Sequence, residues 1–354
     1  MKIAVTADLH LTSRKDHPER YHALENILQQ MVKDQIRVMI IAGDLFHESS
    51  RNYSEYENLC KDANYKHIQF HIIPGNHDPR INNKVIAAEN VTIYSEPELK
   101  SFDLISLPLL FLPYKKDKTM GESIAAFASE LSTDEWVLIG HGDWVEGMRE
   151  SNPLEPGVYM PLTRTDVESF KPTRVVLGHI HKPMDRERVH YPGSPCGLNI
   201  TETGKRRFLI IDSESGSVTP PAVDTDVIFF DESIIIFPVE DEQAYLRDQV
   251  ALRMEKWGID ESEKSKVRVR VKVSGYTSDK RELMKTLEEC FEGVSFYQNE
   301  EPDISGVSVS EDVERAEIAQ RVSNRIEELD WPESEEEPRK DQMLIEALKV
   351  IYGN

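Results

Sequence analysis

Five short clusters of aspartate, histidine and asparagine carry the chemical potential of this chain: DLH at 8–10, GDLFH at 43–47, GNHD at 75–78, GHGD at 140–143 and GHIH at 178–181. Carboxylate oxygens, imidazole nitrogens and an amide oxygen are hard and borderline donors, suited to manganese, magnesium, iron or zinc rather than to a thiolate site. One such histidine taken alone is more often a surface or hydrogen-bonded residue than a ligand, and Asp44 alone reads as a turn or N-cap residue. Here each cluster directly follows an apolar run: KIAVTADLH, VMIIAGDLFH, FHIIPGNHD, WVLIGHGD and RVVLGHIH. The glycine that heads four of them lets the chain turn sharply out of a strand into a ligand loop. The residue types suit a pair of divalent metals, which can share a water and lower its pKa.

For the clusters to act together, their elements must bring them to one place. Runs rich in β-branched residues at 2–6, 38–41, 68–72, 109–112, 137–139 and 175–177 read as strands. They alternate with amphipathic stretches such as 20–33 and 122–131, where apolar residues recur every three or four positions. That alternation predicts a layered α/β domain, whose ligands gather at the carboxyl ends of its strands. Short strands at 189–191 and 207–211 close this domain, and the shift to Gly, Ser and Pro at 215–221 marks its end near residue 220. A β-α-β-α-β unit follows at 228–300, with strands at 234–239, 267–273 and 294–297 and helices at 242–257 and 280–290. Residues 308–354 hold a helix at 312–329, the acidic stretch DWPESEEEP at 330–338 and an amphipathic segment at 340–352.

The series DxH, GD, GNHD, GH and GHxH, spread over residues 1–212, resembles the calcineurin-like metallophosphoesterase superfamily. The resemblance implies a four-layer α/β/β/α sandwich with a smaller α+β capping domain and a C-terminal helical segment. Position by position, it implies one metal held by Asp8, His10, Asp44 and His181, and a second held by Asp44, Asn76, His141 and His179, with Asp44 bridging. His77 matches the family's non-ligand histidine, which stabilises charge on the phosphate or protonates the leaving oxygen, and Asp78 beside it would orient that ring.

GDLFH, VVLGHIHKPM and YPGSPCGLN narrow the likeness to SbcD-type nuclease subunits of double-strand-break repair complexes. The narrower likeness implies two divalent metals, manganese foremost, 3′ to 5′ exonuclease activity, and endonuclease activity on single strands or hairpins. It also implies a homodimer, placed here at 53–63 and the segment after GNHD, and an SMC-like coiled-coil ATPase of the SbcC type as partner. His47 would touch the phosphate or orient a DNA end. Arg14, Lys15 and Arg20, behind DLH, are placed to touch the DNA backbone or else form a solvated loop. Gly193 and Pro195 shape the PGSP turn. Leu344, Ala347, Leu348 and Ile351 share one helical face, which would dock on the ATPase or fold back on its own core. Two rival functions use the same features: a phosphodiesterase for small or cyclic nucleotides, and a non-catalytic scaffold for a coiled-coil ATPase.

Composition constrains these readings. The formal net charge of -22 argues against a protein that grips nucleic acid alone, so DNA affinity is expected from a partner or a local patch. Glu146 and Glu150 interrupt any basic channel beside the fourth cluster, and Trp136, Trp144, Trp257 and Trp331 are too dispersed for a base-stacking platform. Cys60, Cys196 and Cys290 form no disulfide framework, which points to the reducing cytoplasm, alongside DNA. No apolar run nears the roughly 20 residues of a membrane helix, and MKIAVTADLH turns polar too early for a signal peptide, so no membrane association is expected.

Overall fold

The computed structural model describes residues 1–47, 53–102, 105–131, 135–145, 157–331 and 338–353, the side chains of 105 and 106 excepted. Glu146, Glu150 and residues 332–337 of the acidic stretch lie outside the described residues.

The chain divides into two compact units. The first, Met1–Leu198 with Lys205–Asp226, is built on two six-stranded sheets. One sheet runs in the order Val218–Thr219, Leu209–Asp212, Lys2–Thr6, Val38–Ala42, Gln69–Ile73, Val91–Ile93. The other runs Met184–Arg186, Val189–Tyr191, Arg174–Gly178, Val137–His141, Ile105–Leu112, Glu98–Phe102. In each, the central neighbours pair in parallel and the antiparallel partners lie toward the edges. Central strands covered on both faces must be apolar throughout, and VMIIA at 38–42 is buried at every position.

The period-two alternation sorts side chains into layers. Val5, Ile40, Phe111, Ile139 and Val176 fill the space between the sheets. Met39 and Ile41 turn the other way, onto Tyr21, Leu24, Leu28 and Met31 of the helix Pro18–Lys33. Leu110, Leu138 and Leu177 face outward from the second sheet, against Met120 and Ile124 of the helix Met120–Ala125 and beside Val167 and Phe170 of the helix Arg164–Phe170. The unit is therefore the α/β/β/α sandwich that the cluster series implies.

Local departures have local causes. The helix expected at 122–131 stops at Ala125, because Phe127, Ala128 and Glu130 bond three residues back and tighten the chain into successive turns. The first helix begins at Pro18, a residue pre-set for the first helical turn and two residues ahead of the stretch expected from 20, so Arg20 stands in its first turn. The edge strand Glu98–Phe102 escapes a reading by pattern, since its largely exposed ELKSF carries no apolar alternation.

The second unit comprises Asn199–Gly204 and Val227–Asn354. Its sheet centres on Val267–Thr277, flanked by Ile228–Ile236 on one side and by Ser295–Phe296 and Asp303–Val309 on the other, all parallel. In VRVRVKV the valines are buried against Val250, Leu287 and Trp257, while the basic residues between them face outward. The sheet thus takes a strand beyond residue 300. The segment expected to serve a partner, Lys340–Tyr352, turns Leu348 and Tyr352 into a cluster with Phe237 and Ala319, with Leu344 and Ile351 packed against it. Of the two expectations for this face, the described residues match the one in which it folds back on its own core. Among the described residues, no helix is long and apolar enough to cross a membrane.

His71 lies buried on Gln69–Ile73, shares a 2.8 Å hydrogen bond with the Tyr94 hydroxyl and meets Phe102 edge to face. Burial, aided by Lys100, pushes its pKa down to about 4. The unfolded chain takes up this proton at about 6.5, so the stability His71 provides is complete above that pH and is lost as pH falls toward about 4. In urea denaturation, His71→Phe should flatten the pH dependence across that window by on the order of 2–3 kcal/mol relative to the native chain.

Candidate metal centre

The donor loops leave the carboxyl ends of the parallel strands. Asp8 and His10 follow Lys2–Thr6, Asp44 follows Val38–Ala42 and Asn76 follows Gln69–Ile73. The second sheet supplies His141 at the end of Val137–His141, and His179 and His181 behind Arg174–Gly178. The first two loops are zipped together: Asp8 N donates to Gly43 O at 3.1 Å, His10 N to Asp44 O at 3.0 Å and Leu11 N to Leu45 O at 2.9 Å. Asp8, His10, Asp44 and His179 have φ values of 54°, 45°, 50° and 95°. Such left-handed residues cost about 1 kcal/mol or more each and persist only where the surroundings dictate them.

Around the centre, the donors stand in two overlapping groups. His10 Nε2 lies 3.1 Å from His181 Nε2 and 3.6 Å from Asp44 Oδ2, and Asp8, His10 and His181 can all direct a ligand atom to one point. On the other side, Asp44 Oδ2 is 3.4 Å from His141 Nε2. Asn76 Oδ1 lies 2.8 Å from that same nitrogen and 3.1 Å from His179 Nδ1. Donors bound at about 2.1 Å to a four- to six-coordinate ion stand roughly 3.0–3.4 Å apart. The spacing therefore fits a pair of divalent ions with Asp44 between them. Asp8 Oδ2 and Asp44 Oδ2 are buried with no hydrogen-bond partner among the described residues, a costly arrangement that cations would relieve.

The electrostatics agree. Burial pushes the Asp8 carboxyl up to about 6, against the pull of His181 and His141. Burial also opposes ionisation of Asp44, but His141, His10 and His77 outweigh it and hold this carboxyl well below its usual range. Burial disfavours charge on His141 too, yet Asp44 and Asp8 override it and push this imidazole up to about 9. Desolvation holds His10 well below the ordinary histidine value. The buried carboxylates thus favour positive charge among them, the kind of charge a divalent cation would bring.

Two further histidines sit beside these donors, and with His10 they form a third group that could hold a metal ion. The His77 ring meets His10 edge to face at 4.6 Å and stacks on His47 at 5.6 Å, with His77 half-buried and His47 exposed. Asp78 does not orient His77. Its carboxylate accepts from Gly75 N at 2.8 Å and from Phe46 N at 3.0 Å, so it ties the third loop to the second. Asp143 joins the site although no motif position assigns it: it is buried, with Oδ1 3.7 Å from His179 Nε2 and Oδ2 accepting from Tyr159 N at 2.7 Å. Its signal lies in GHGD itself, an acid two residues behind a donor histidine. Tyr159, whose ring lies 4.6 Å from that of His179, has no motif to announce it.

The basic residues do not form one surface. Lys15 is exposed, and Arg14 pairs with Glu25 at 2.6 Å over the Tyr21 ring. Arg20 is buried and donates to the His10 carbonyl, so its expected contact with a DNA backbone gives way to a contact inside the protein. The helical start at Pro18 aims it inward.

Comparison with known proteins places this geometry. Residues 1–183 match the model of the calcineurin-like phosphoesterases. The chain is 26% identical over 253 residues to the SbcD component of nuclease SbcCD from Staphylococcus epidermidis, covering 62% of this chain and 67% of that protein. It is 26% identical over 219 residues to the uncharacterized metallophosphoesterase YhaO of Bacillus subtilis, covering 56% of this chain and 51% of that one. It is 22% identical over 253 residues to the DNA double-strand break repair protein Mre11 of Methanopyrus kandleri, covering 62% and 55%. The match thus spans about half the length of the latter two relatives.

A methyl group on Gly75 would sit 2.0 Å from Asp44 Oδ1 and 2.5 Å from Asp44 N. Gly75→Ala should therefore displace the shared carboxylate. Metal analysis after dialysis should find the bound ions reduced by at least half relative to the native chain, with the circular dichroism spectrum kept. Unchanged metal content would mean that Asp44 does not stand between two ions.

Proposed function

The chain belongs to the calcineurin-like phosphoesterases, and from that membership we propose that it is a metal-dependent DNA nuclease, the SbcD-type component of an SbcCD-like repair or recombination complex. The observation that carries this reading is the stacked pair His47 and His77, two imidazoles beside the donor cluster that with His10 could also hold a metal ion and that we read as facing the phosphate. Relatives named as the SbcD component of nuclease SbcCD and as Mre11 support it.

Held by Asp8, His10, Asp44 and His181 and by Asp44, Asn76, His141 and His179, two divalent ions, in our reading manganese, would supply Lewis acidity toward a phosphodiester and toward the attacking water. The chain's own residues do the positioning. Asp8 accepts from His179 N at 2.9 Å, linking the donor loops of the two sheets. His77 donates its backbone amide to Asp44 Oδ1 at 2.9 Å, which ties its backbone to the shared carboxylate. In the imidazolium form, that ring stabilises charge on the phosphate or passes a proton to the leaving oxygen. His47, stacked on it, offers a second imidazole to the same phosphate.

Strand affinity in this reading comes from a coiled-coil ATPase partner, consistent with a net charge of -22. With Leu348 and Tyr352 packed inside the unit, one apolar surface open to such a partner is on and just behind the helix Ala316–Glu327, where Ile318 and Leu329 are exposed. A homodimer through 53–63 would be polar, because the helix Tyr53–Lys61 turns Tyr56, Leu59 and Cys60 inward.

The test is cleavage of a labelled DNA duplex and a hairpin in manganese, in magnesium and in chelator. Manganese-dependent cutting is expected, and His77→Ala should lower it by about 100-fold or more with metal content retained. Hydrolysis of a small chromogenic diester by a chain that leaves DNA intact, with its ATPase present, would move the function to small nucleotides.

A further inference from the structure

Two buried arginines reach the donor loops from outside the five clusters. Arg20 lies in the first turn of the helix Pro18–Lys33 and is 8% exposed; Arg206 lies on the short strand Arg206–Arg207 and is 2% exposed. Arginine is rarely buried to this degree without a specific task, because desolvating its charge is expensive. Arg20 Nη1 donates to the carbonyl of His10, and Arg206 Nη1 donates to the carbonyl of His181 at 3.0 Å. These two histidines face each other, Nε2 to Nε2, at 3.1 Å.

We propose that Arg20 and Arg206 are positioning residues for the first of the two metal sites, each clamping the backbone of one of its histidines. This rests on the two-metal reading above. Histidine reaches its donor atom through only two side-chain torsions, so the direction of its peptide decides where that nitrogen lands. His10 needs such a clamp because its φ of 45° is a conformation that residues with a Cβ avoid. At His181 the clamp is doubled: its carbonyl also accepts from Ser194 N at 3.1 Å. A Cβ on Gly193, whose φ is 76°, would stand 2.6 Å from that oxygen. The PGSP turn is thereby given a task, as the abutment that closes on His181 together with Arg206.

The histidines of the second site are set by other means. His141 is oriented through ring Nδ1, 2.9 Å from the Ala42 carbonyl, and His179 through its own amide on Asp8 Oδ1 at 2.9 Å. Loss of an arginine clamp should consequently be felt by one ion and not by both. Lysine can replace one donated hydrogen bond and the charge, though not the planar fork.

The test is the Mn2+ binding isotherm of the full chain by equilibrium dialysis, with thermal melting of the metal-free protein alongside. Arg206→Met and Arg20→Met should each weaken one of two Mn2+ sites by about 10–100-fold and leave the other within about twofold. His181→Ala should abolish the same site. Arg206→Lys and Arg20→Lys should recover part of the lost affinity, which separates positioning from general damage and keeps the test valid if a methionine variant does not fold. Equal weakening of both sites, no weakening of either, or lysine variants no better than methionine would overturn the proposal. A native chain that binds no Mn2+ at all would instead defeat the two-metal reading beneath it.

Discussion

Everything in the first unit is arranged around one expensive fact: Asp8 and Asp44 are buried side by side, each with a carboxylate oxygen that receives no hydrogen bond among the described residues. An uncompensated buried carboxylate costs several kcal/mol even after relaxation. The arrangement persists because the backbone around it is determined several times over. The zipper of amides between the DLH and GDLFH loops, the Asp78 carboxylate between GNHD and GDLFH, and the amide of Gly142 on the Gly178 carbonyl all hold loops that would otherwise spring apart. Left-handed backbone at Asp8, His10, Asp44 and His179 is the conformational cost of pointing side chains from different strands toward a common place.

The sandwich explains why those strands can be combined. Parallel neighbours put all their carboxyl ends on one side, so each sheet offers a row of loops there. Asp8, Asp44 and Asn76 come from one row, and His141, His179 and His181 from the other. The distance between rows is set by the side chains packed between the sheets, such as Val5, Ile40, Phe111 and Ile139. That core is consequently part of the candidate metal centre's geometry: a change in its thickness would move histidines relative to carboxylates, across spacings of only 2.8–3.6 Å. Close approach has its own requirement, since a Cβ at Gly43 would stand 2.0 Å from His141 Nδ1.

The second unit obeys a simpler rule. VRVRVKV announces a sheet with one apolar face, and the helices Glu242–Lys256 and Lys280–Cys290 cover it. An amphipathic helix in isolation carries no information about what will cover its apolar side, and Lys340–Tyr352 finds Phe237 and Ala319 before any partner.

The sequence by itself determined the strands, the α/β class and the five clusters, because each of these is written in neighbouring residues: an apolar run, a glycine, a donor. The grouping of Asp8, His10, Asp44, Asn76, His141, His179 and His181 came instead from the resemblance to a known family. Only the tertiary structure decided the jobs of residues whose partners lie far along the chain. Asp78 stands next to His77 in sequence yet serves Phe46, 32 residues away. Arg20 reads as a cation free to meet DNA until the helix that starts at Pro18 turns it inward to His10. Arg206, 25 residues beyond His181, belongs to no motif at all. Hydrogen bonds to backbone carbonyls leave no mark on residue type at the accepting position, so a sequence cannot show which carbonyl a buried arginine will find.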